Sequence, residues 1–138
     1  MLSEDGSHYI LNGTKQFITN GGIADYVTVF ATVDPKSAHK GIGAFVVETN
    51  WEGVSAGRHI PKFGQRGSNT TAINLKDVRV PKENVIAPPG QGFALAMRTF
   101  ARTRPSIGAF AVGAARSAME PPRPGLPPVL GDRLLHGA

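Results

Sequence analysis

The 138-residue sequence predicts an α+β fold: an antiparallel β-sandwich or barrel-like domain, then two helices, then a proline-rich irregular tail. Three observations carry that expectation. β-Branched and apolar residues recur in short runs between turn residues as far as Pro81, and apolar residues then take helical spacing from Gly92. The last 18 residues hold five of the eleven prolines. The corresponding boundaries are 1–89 for the β-domain, 90–120 for the helices and 121–138 for the tail.

The chain opens with runs at 8–11 and 15–19 around Asn12-Gly13-Thr14, and Asn-Gly tolerates the positive φ of hairpin turns, so a hairpin is expected there. Residues 26–33 and 42–48, rich in Val, Phe and Ile, read as two further strands separated by Asp34-Pro35 and a polar loop through Lys40. Residues 54–60 form a weaker candidate strand. Residues 70–80 alternate cleanly through Ile73, Leu75, Val78 and Val80, with one change of phase at Lys76-Asp77 that reads as a bulge. Lys82-Glu83-Asn84 and Pro88-Pro89-Gly90 then mark a loop. Phe93, Met97 and Phe100 lie at helical spacing over 92–102, and Thr103-Arg104-Pro105 reads as a helix restart, because Thr caps orphan amides and Pro fits a first turn. Ile107, Phe110, Ala111, Ala114, Ala115 and Ala118 make the face of the second helix. Pro121-Pro122 ends it. The tail beyond is expected to be irregular or disordered, and its composition fits a truncated or frame-shifted end; a PxxP ligand at Pro124 and Pro127 is the functional alternative.

The net charge of +5 arises from 15 Lys and Arg against 10 Asp and Glu, with the cations scattered singly, which argues against a nucleic-acid arm or a polybasic membrane anchor. Arg98, Arg102 and Arg104 fall on one predicted helix, where they meet a phosphate-bearing ligand or simply water. There is no cysteine, hence no disulfide, thiolate site or cysteine nucleophile. His8, His39, His59 and His136 are isolated, without an acidic partner at dyad spacing, and no metal set is expected. No targeting peptide or membrane-length apolar run is seen, so the expected location is cytoplasmic, or the mitochondrial matrix in a eukaryote. Residues 64–70, Gly-Gln-Arg-Gly-Ser-Asn-Thr, precede a strand and lack a dinucleotide or P-loop pattern, so they read as a conformationally demanding turn.

Three stretches, YILNGTKQFITNGGIADYVTVFA, FGQRGSNTTAINLKDVRVPKENVI and GQGFALAMRTFARTRP, resemble in order and spacing the acyl-CoA dehydrogenases: the middle β-domain and the first helices of the C-terminal bundle. Thr103-Arg104-Pro105 looks most like the medium-chain type, with short-chain and branched-chain relatives close to it. The resemblance implies a fragment, with FAD as cofactor, an acyl-CoA as substrate, an electron-transfer flavoprotein as electron acceptor, and a homo-oligomer in the full-length family. It implies that Phe17, Ile18 and Thr19 contact the flavin, the Thr hydroxyl lying near its reactive nitrogen. The family usually has Trp where Phe17 stands, so the ring is kept and the indole donor lost. It further implies that Phe100, Ala101, Arg102, Thr103 and Arg104 border the acyl-CoA site, although medium-chain relatives carry an acidic residue where Ala101 stands.

The implied reaction is FAD-dependent α,β-dehydrogenation of an acyl-CoA to a trans-2-enoyl-CoA, as in fatty-acid or branched-chain oxidation. Residues 100–105 contain no carboxylate, so no catalytic residue is assigned and the chain is expected to be inactive alone. A non-catalytic β-domain acting as a binding or interaction module, or a relative of acyl-CoA oxidases or nitroalkane oxidases, remains open beside that reading.

Overall fold

The computed structural model describes residues 1–119, so the tail expected at 121–138 lies outside the described residues. The chain divides into two compact units, the first ending at Met97 and the second beginning at Arg98.

The first unit is a β-sandwich of two three-stranded antiparallel sheets. Strands β1 (His8–Thr19), β5 (Thr70–Pro81) and β4 (Val54–Ala56) form one sheet in the order β1-β5-β4. Strands β2 (Tyr26–Thr32), β3 (Ile42–Glu48) and β6 (Val85–Ala87) form the other, in the order β2-β3-β6. Alternation explains the layering: Ile73, Leu75, Val78 and Val80 of β5 and Leu11 of β1 point inward to meet Val29, Phe45 and Val47 of the opposite sheet. Tyr9 tilts over Phe45 with ring centroids 5.1 Å apart. Full burial of a side chain such as Phe45, Val47, Val78 or Val80 contributes about 1.5–3 kcal/mol, so this layer is the main source of stability.

The expected opening hairpin is not formed. Residues 8–19 are one strand, paired along its length with β5, because the Asn12-Gly13 signal serves a bulge and not a turn. Between Leu11↔Val78 and Gly13↔Leu75 the register shifts at the expected Lys76-Asp77 phase change, where Asp77 takes φ 53°. Asn12 spans this bulge: its Nδ2 donates to Asp77 Oδ1 at 2.9 Å, and the Asp77 amide donates to Asn12 Oδ1 at 2.8 Å. A second shift lies between Lys15↔Ile73 and Ile18↔Thr71, this time with the extra residue on β1.

Strand β4 is shorter than expected. It pairs only with residues 73–75, the run between the two shifts, and the chain leaves the ladder at Gly57, whose amide still reaches the Ala72 carbonyl at 2.8 Å. The polar loop after Asp34 contains 3₁₀ turns over Pro35–Gly41, started by the Asp34 carboxylate, which accepts from the Lys36 amide (2.9 Å) and the Ser37 hydroxyl (2.6 Å). Strand β6 falls within the stretch expected as loop; three residues between proline-flanked turns show no period.

A helix, α1 (Gly92–Met119), begins as expected. Only glycine fits at its start: a Cβ on Gly92 would stand 2.8 Å from the Ile42 carbonyl oxygen and the Gly43 carbonyl carbon. Phe93 packs beside His39, with centroids 5.3 Å apart. The helical region expected as two helices runs as one, with Pro105 inside it. In the turn before the proline the Thr103 hydroxyl donates to the Thr99 carbonyl at 3.2 Å within the helix and does not cap a new one. Among the described residues no helix is long and apolar enough to cross a membrane.

Candidate functional site

The last three residues of β1 take up the arrangement their pattern predicts. Ile18 packs against the sandwich core, while Phe17 and Thr19 are exposed. Phe17 is unusual twice over: its side chain is 73% exposed, and its backbone sits at φ 57° on the second bulge. A bulky residue in the left-handed region costs about 1–3 kcal/mol, and such strain gathers where a side chain must be aimed. Thr19 pairs across the ladder with Thr70, and Ile18 with Thr71. The Thr19 hydroxyl has no hydrogen-bond partner among the described residues. The end of β1 therefore offers an uncovered ring and an unused hydroxyl, held by the half-buried Ile18.

The following turn is fastened from the far side of the sequence. Asn69, just before β5, accepts the Asn20 amide on its carbonyl (2.8 Å) and the Gly22 amide on Oδ1 (3.0 Å), and its Nδ2 lies 3.5 Å from His59 Nδ1. Gly21 presses on β5 so closely that a Cβ would stand 2.9 Å from Thr71 Cγ2. Behind the turn lies a cavity of about 190 Å³, lined by residues that include Gly21, Gly22, Thr49, Ser55 and Ile73. Sequence reasoning missed Asn69; an asparagine at the entry of a strand is ordinary, and the Gly22 amide that its side chain accepts lies 47 residues away.

Thr71 orders the segment leading to Asn69. It is buried, and its hydroxyl reaches the Gly57 carbonyl (2.7 Å) and the Arg58 carbonyl (3.0 Å). Lys62 Nζ donates to Thr70 Oγ1 at 2.8 Å, and the Ile60 amide to the Thr70 carbonyl at 2.8 Å. Phe63 stands fully exposed. The turn expected at 64–70 is present, closed by the Ser68 amide on the Gln65 carbonyl at 3.0 Å, and the residue with positive φ is Gln65 and neither glycine.

The other candidate residues, Phe100, Ala101, Arg102, Thr103 and Arg104, lie in the second unit and are all exposed on α1. Phe100 and Arg104, four apart, share a helix face, as do Arg98 and Arg102, whereas Arg104 is turned about 200° from Arg102. The three arginines therefore do not form one cluster. No Asp or Glu occurs anywhere in α1. One expectation about histidine needs correcting: His8 Nδ1 lies 4.0 Å from Asp5 Oδ1, because the turn over 3–8 brings together residues three apart. The Ser3 hydroxyl, then the Ser7 amide and hydroxyl, hold the exposed Asp5 carboxyl below its ordinary range, so the cluster is a charged turn at the surface.

The chain is similar to known proteins along most of its length. Residues 1–78 match the family model for the acyl-CoA dehydrogenase middle domain. The probable acyl-CoA dehydrogenase FadE25 of Mycobacterium tuberculosis is 45% identical over 116 residues, 84% of this chain, which spans 30% of that relative's length. Butyryl-CoA dehydrogenase from Megasphaera elsdenii superposes with a TM-score of 0.78 at 38% identity, over 91% of this chain and 34% of that one. An acyl-CoA dehydrogenase from Bacillus anthracis, solved in complex with FAD, matches with a TM-score of 0.62 at 40% identity, over 70% of this chain and 16% of that one. The family match over more than half of the sequence, on a chain that superposes on a solved member, means that the chain belongs to the acyl-CoA dehydrogenase family.

Proposed function

We propose that this chain supplies one wall of a flavin site and one flank of an acyl-CoA site, in a protein that converts an acyl-CoA thioester to a trans-2-enoyl-CoA. The observation that carries the reading is the strained, exposed Phe17 beside the unpartnered Thr19 hydroxyl, at the end of a strand inside the family-matched residues. A flat, polar-edged ring fits such a surface, with Phe17 supplying aromatic contact and Thr19 a hydrogen bond. FAD, when bound, supplies the hydride-accepting chemistry that no side chain has. Ile18 holds the strand end in the core, and Asn69 fixes the turn that follows, so the two exposed groups stay oriented.

On α1, Phe100 offers apolar contact to an acyl or pantetheine chain, and Arg104, on the same face, offers a cation to its polar parts. Ala101, Arg102 and Thr103 complete that flank. Neither the β1 end nor α1 carries a carboxylate, so this portion binds and orients and does not abstract the substrate proton. In the complete protein, electrons would leave through an electron-transfer flavoprotein and the site would be finished within a homo-oligomer; this chain alone is inactive.

An amide NMR titration with millimolar FAD, followed by an acyl-CoA, tests the reading. FAD is expected to shift residues 17–19 and their ladder partners 70–71, and the acyl-CoA to shift 100–104, with no bleaching of the flavin band. Shifts located elsewhere, or none at saturation, would overturn the wall assignment. Bleaching would show that a working site assembles from this chain and would overturn the claim of inactivity.

A further inference from the structure

The sequence contains two Asn-Gly dipeptides, Asn12-Gly13 and Asn20-Gly21, and the fold treats them differently. An asparagine before glycine can cyclise without any oxidant or reductant. The glycine main-chain nitrogen attacks the asparagine Cγ and a C–N bond forms, while the side-chain nitrogen leaves as ammonia. Water then opens the succinimide to aspartate or isoaspartate, so the net change is one water consumed and one ammonia released. The step requires a side-chain amide free to turn onto the next nitrogen, and a following residue with no Cβ in the way.

Asn12 lacks that freedom. Both ends of its amide are engaged by Asp77, at 2.9 and 2.8 Å, and Gly13 is held in the ladder opposite Leu75. Asn20 lies outside the strands, is exposed, and its side chain makes no hydrogen bond among the described residues. Its backbone sits at φ 60°, and the attacking nitrogen, that of Gly21, itself donates one long bond of 3.2 Å to the Ile18 carbonyl. Three main-chain bonds hold the Asn20 peptide groups: its amide to Asn69, and its carbonyl to the Ile23 and Ala24 amides. None of them involves the reacting amide.

We infer that Asn20 is a site of spontaneous deamidation and that Asn12, in the same dipeptide, is protected by Asp77. The product places a carboxylate directly after Thr19, and in the isoaspartyl form lengthens the main chain of the turn that Asn69 fastens. This inference rests on the two local geometries and is independent of the flavin reading.

The test compares the folded chain with the same chain unfolded in denaturant, both held at mildly alkaline pH and sampled over time. Trypsin cleavage after Lys15 and Lys36 separates the two asparagines, Asn12 on the peptide 1–15 and Asn20 on 16–36, and mass spectrometry reads the conversion of amide to acid in each. Folding is expected to slow reaction at Asn12 at least about tenfold more than at Asn20, the factor equivalent to roughly one net hydrogen bond. Protection at Asn20 equal to or greater than that at Asn12 would overturn the inference.

Discussion

Gly53 and Lys76 hold each other by main chain alone: the Lys76 amide donates to the Gly53 carbonyl at 2.9 Å, and a Cβ on Gly53, at φ 85°, would collide with the Lys76 carbonyl oxygen. Gly53→Ala is therefore expected to cost roughly 2–4 kcal/mol, since left-handed strain adds to a clash that only backbone movement relieves. Chemical denaturation of the variant against the parent reads this directly, and a loss below half a kilocalorie per mole would mean that the segment yields more easily than its contacts indicate.

Phe17 and Ile18, adjacent in sequence, are expected to respond in opposite ways. Phe17→Gly removes an exposed ring and relieves a left-handed backbone, so stability should be unchanged or higher by up to about 1 kcal/mol. Ile18→Ala removes a side chain packed on the core and should cost roughly 1–3 kcal/mol. Under the proposed function, Phe17→Gly nevertheless abolishes the FAD-induced shifts at 17–19; unaltered shifts would remove Phe17 from the site.

Thr71→Val keeps the shape of a buried side chain and deletes its hydroxyl, leaving the Gly57 and Arg58 carbonyls without that donor. A loss of about 1–3 kcal/mol is expected. Hydrogen exchange should quicken at Gly57 and Ile60, whose amides bond to the Ala72 and Thr70 carbonyls on either side of Thr71.

Pro105 denies the Ala101 carbonyl its helical partner, and Pro→Ala in a helix interior is favourable by up to about 3 kcal/mol. Pro105→Ala should increase the helical far-UV circular dichroism signal of the chain. An unchanged or smaller signal would mean that the proline fixes a helix start after all.

Asp5 and Asp34 are both held below the ordinary carboxylate value of 3.8, Asp5 chiefly by the Ser3 hydroxyl and Asp34 chiefly by the Ser37 hydroxyl. A depressed folded value means that each contributes stability above 3.8, and that the contribution fades as pH falls through the lower folded value. Carboxyl NMR titration should give both midpoints under 3.8, with the turns at 3–8 and 34–37 loosening only in stronger acid. A midpoint at the ordinary value for either would contradict its hydrogen bonds.

Much of this architecture was legible because period-two alternation is a local signal. It placed β5 nearly to the residue and located the bulge at Lys76-Asp77 from a change of phase alone, while richness in Val, Phe and Ile placed β2 and β3. The opening hairpin failed for the opposite reason: whether Asn12-Gly13 turns the chain or bridges a bulge is decided by Asp77, 65 residues away. Thr103-Arg104-Pro105 predicts a boundary because its residue types favour helix starts, but Thr and Arg also fit a helix interior, and the helix runs through all three. At the candidate site alternation predicts Phe17 and Thr19 on one face, and both are exposed, but the bulge that sets Phe17 at φ 57° is not legible in it. The anchors that hold the turn after them, Asn69 and the close contact of Gly21 with Thr71, depend on long-range register that no local pattern encodes.

The two register shifts between β1 and β5 also limit how much pairing the sheet can offer. Between the two shifts the ladder runs straight over residues 73–75 of β5, and β4 pairs with all three positions. Beyond them the chain keeps only single bonds to β5, from the Gly57 amide to the Ala72 carbonyl and from the Ile60 amide to the Thr70 carbonyl, on its way to Asn69. The loop that fastens the turn after Thr19 thus begins where the run between the shifts ends: few rungs at one place become reach at another.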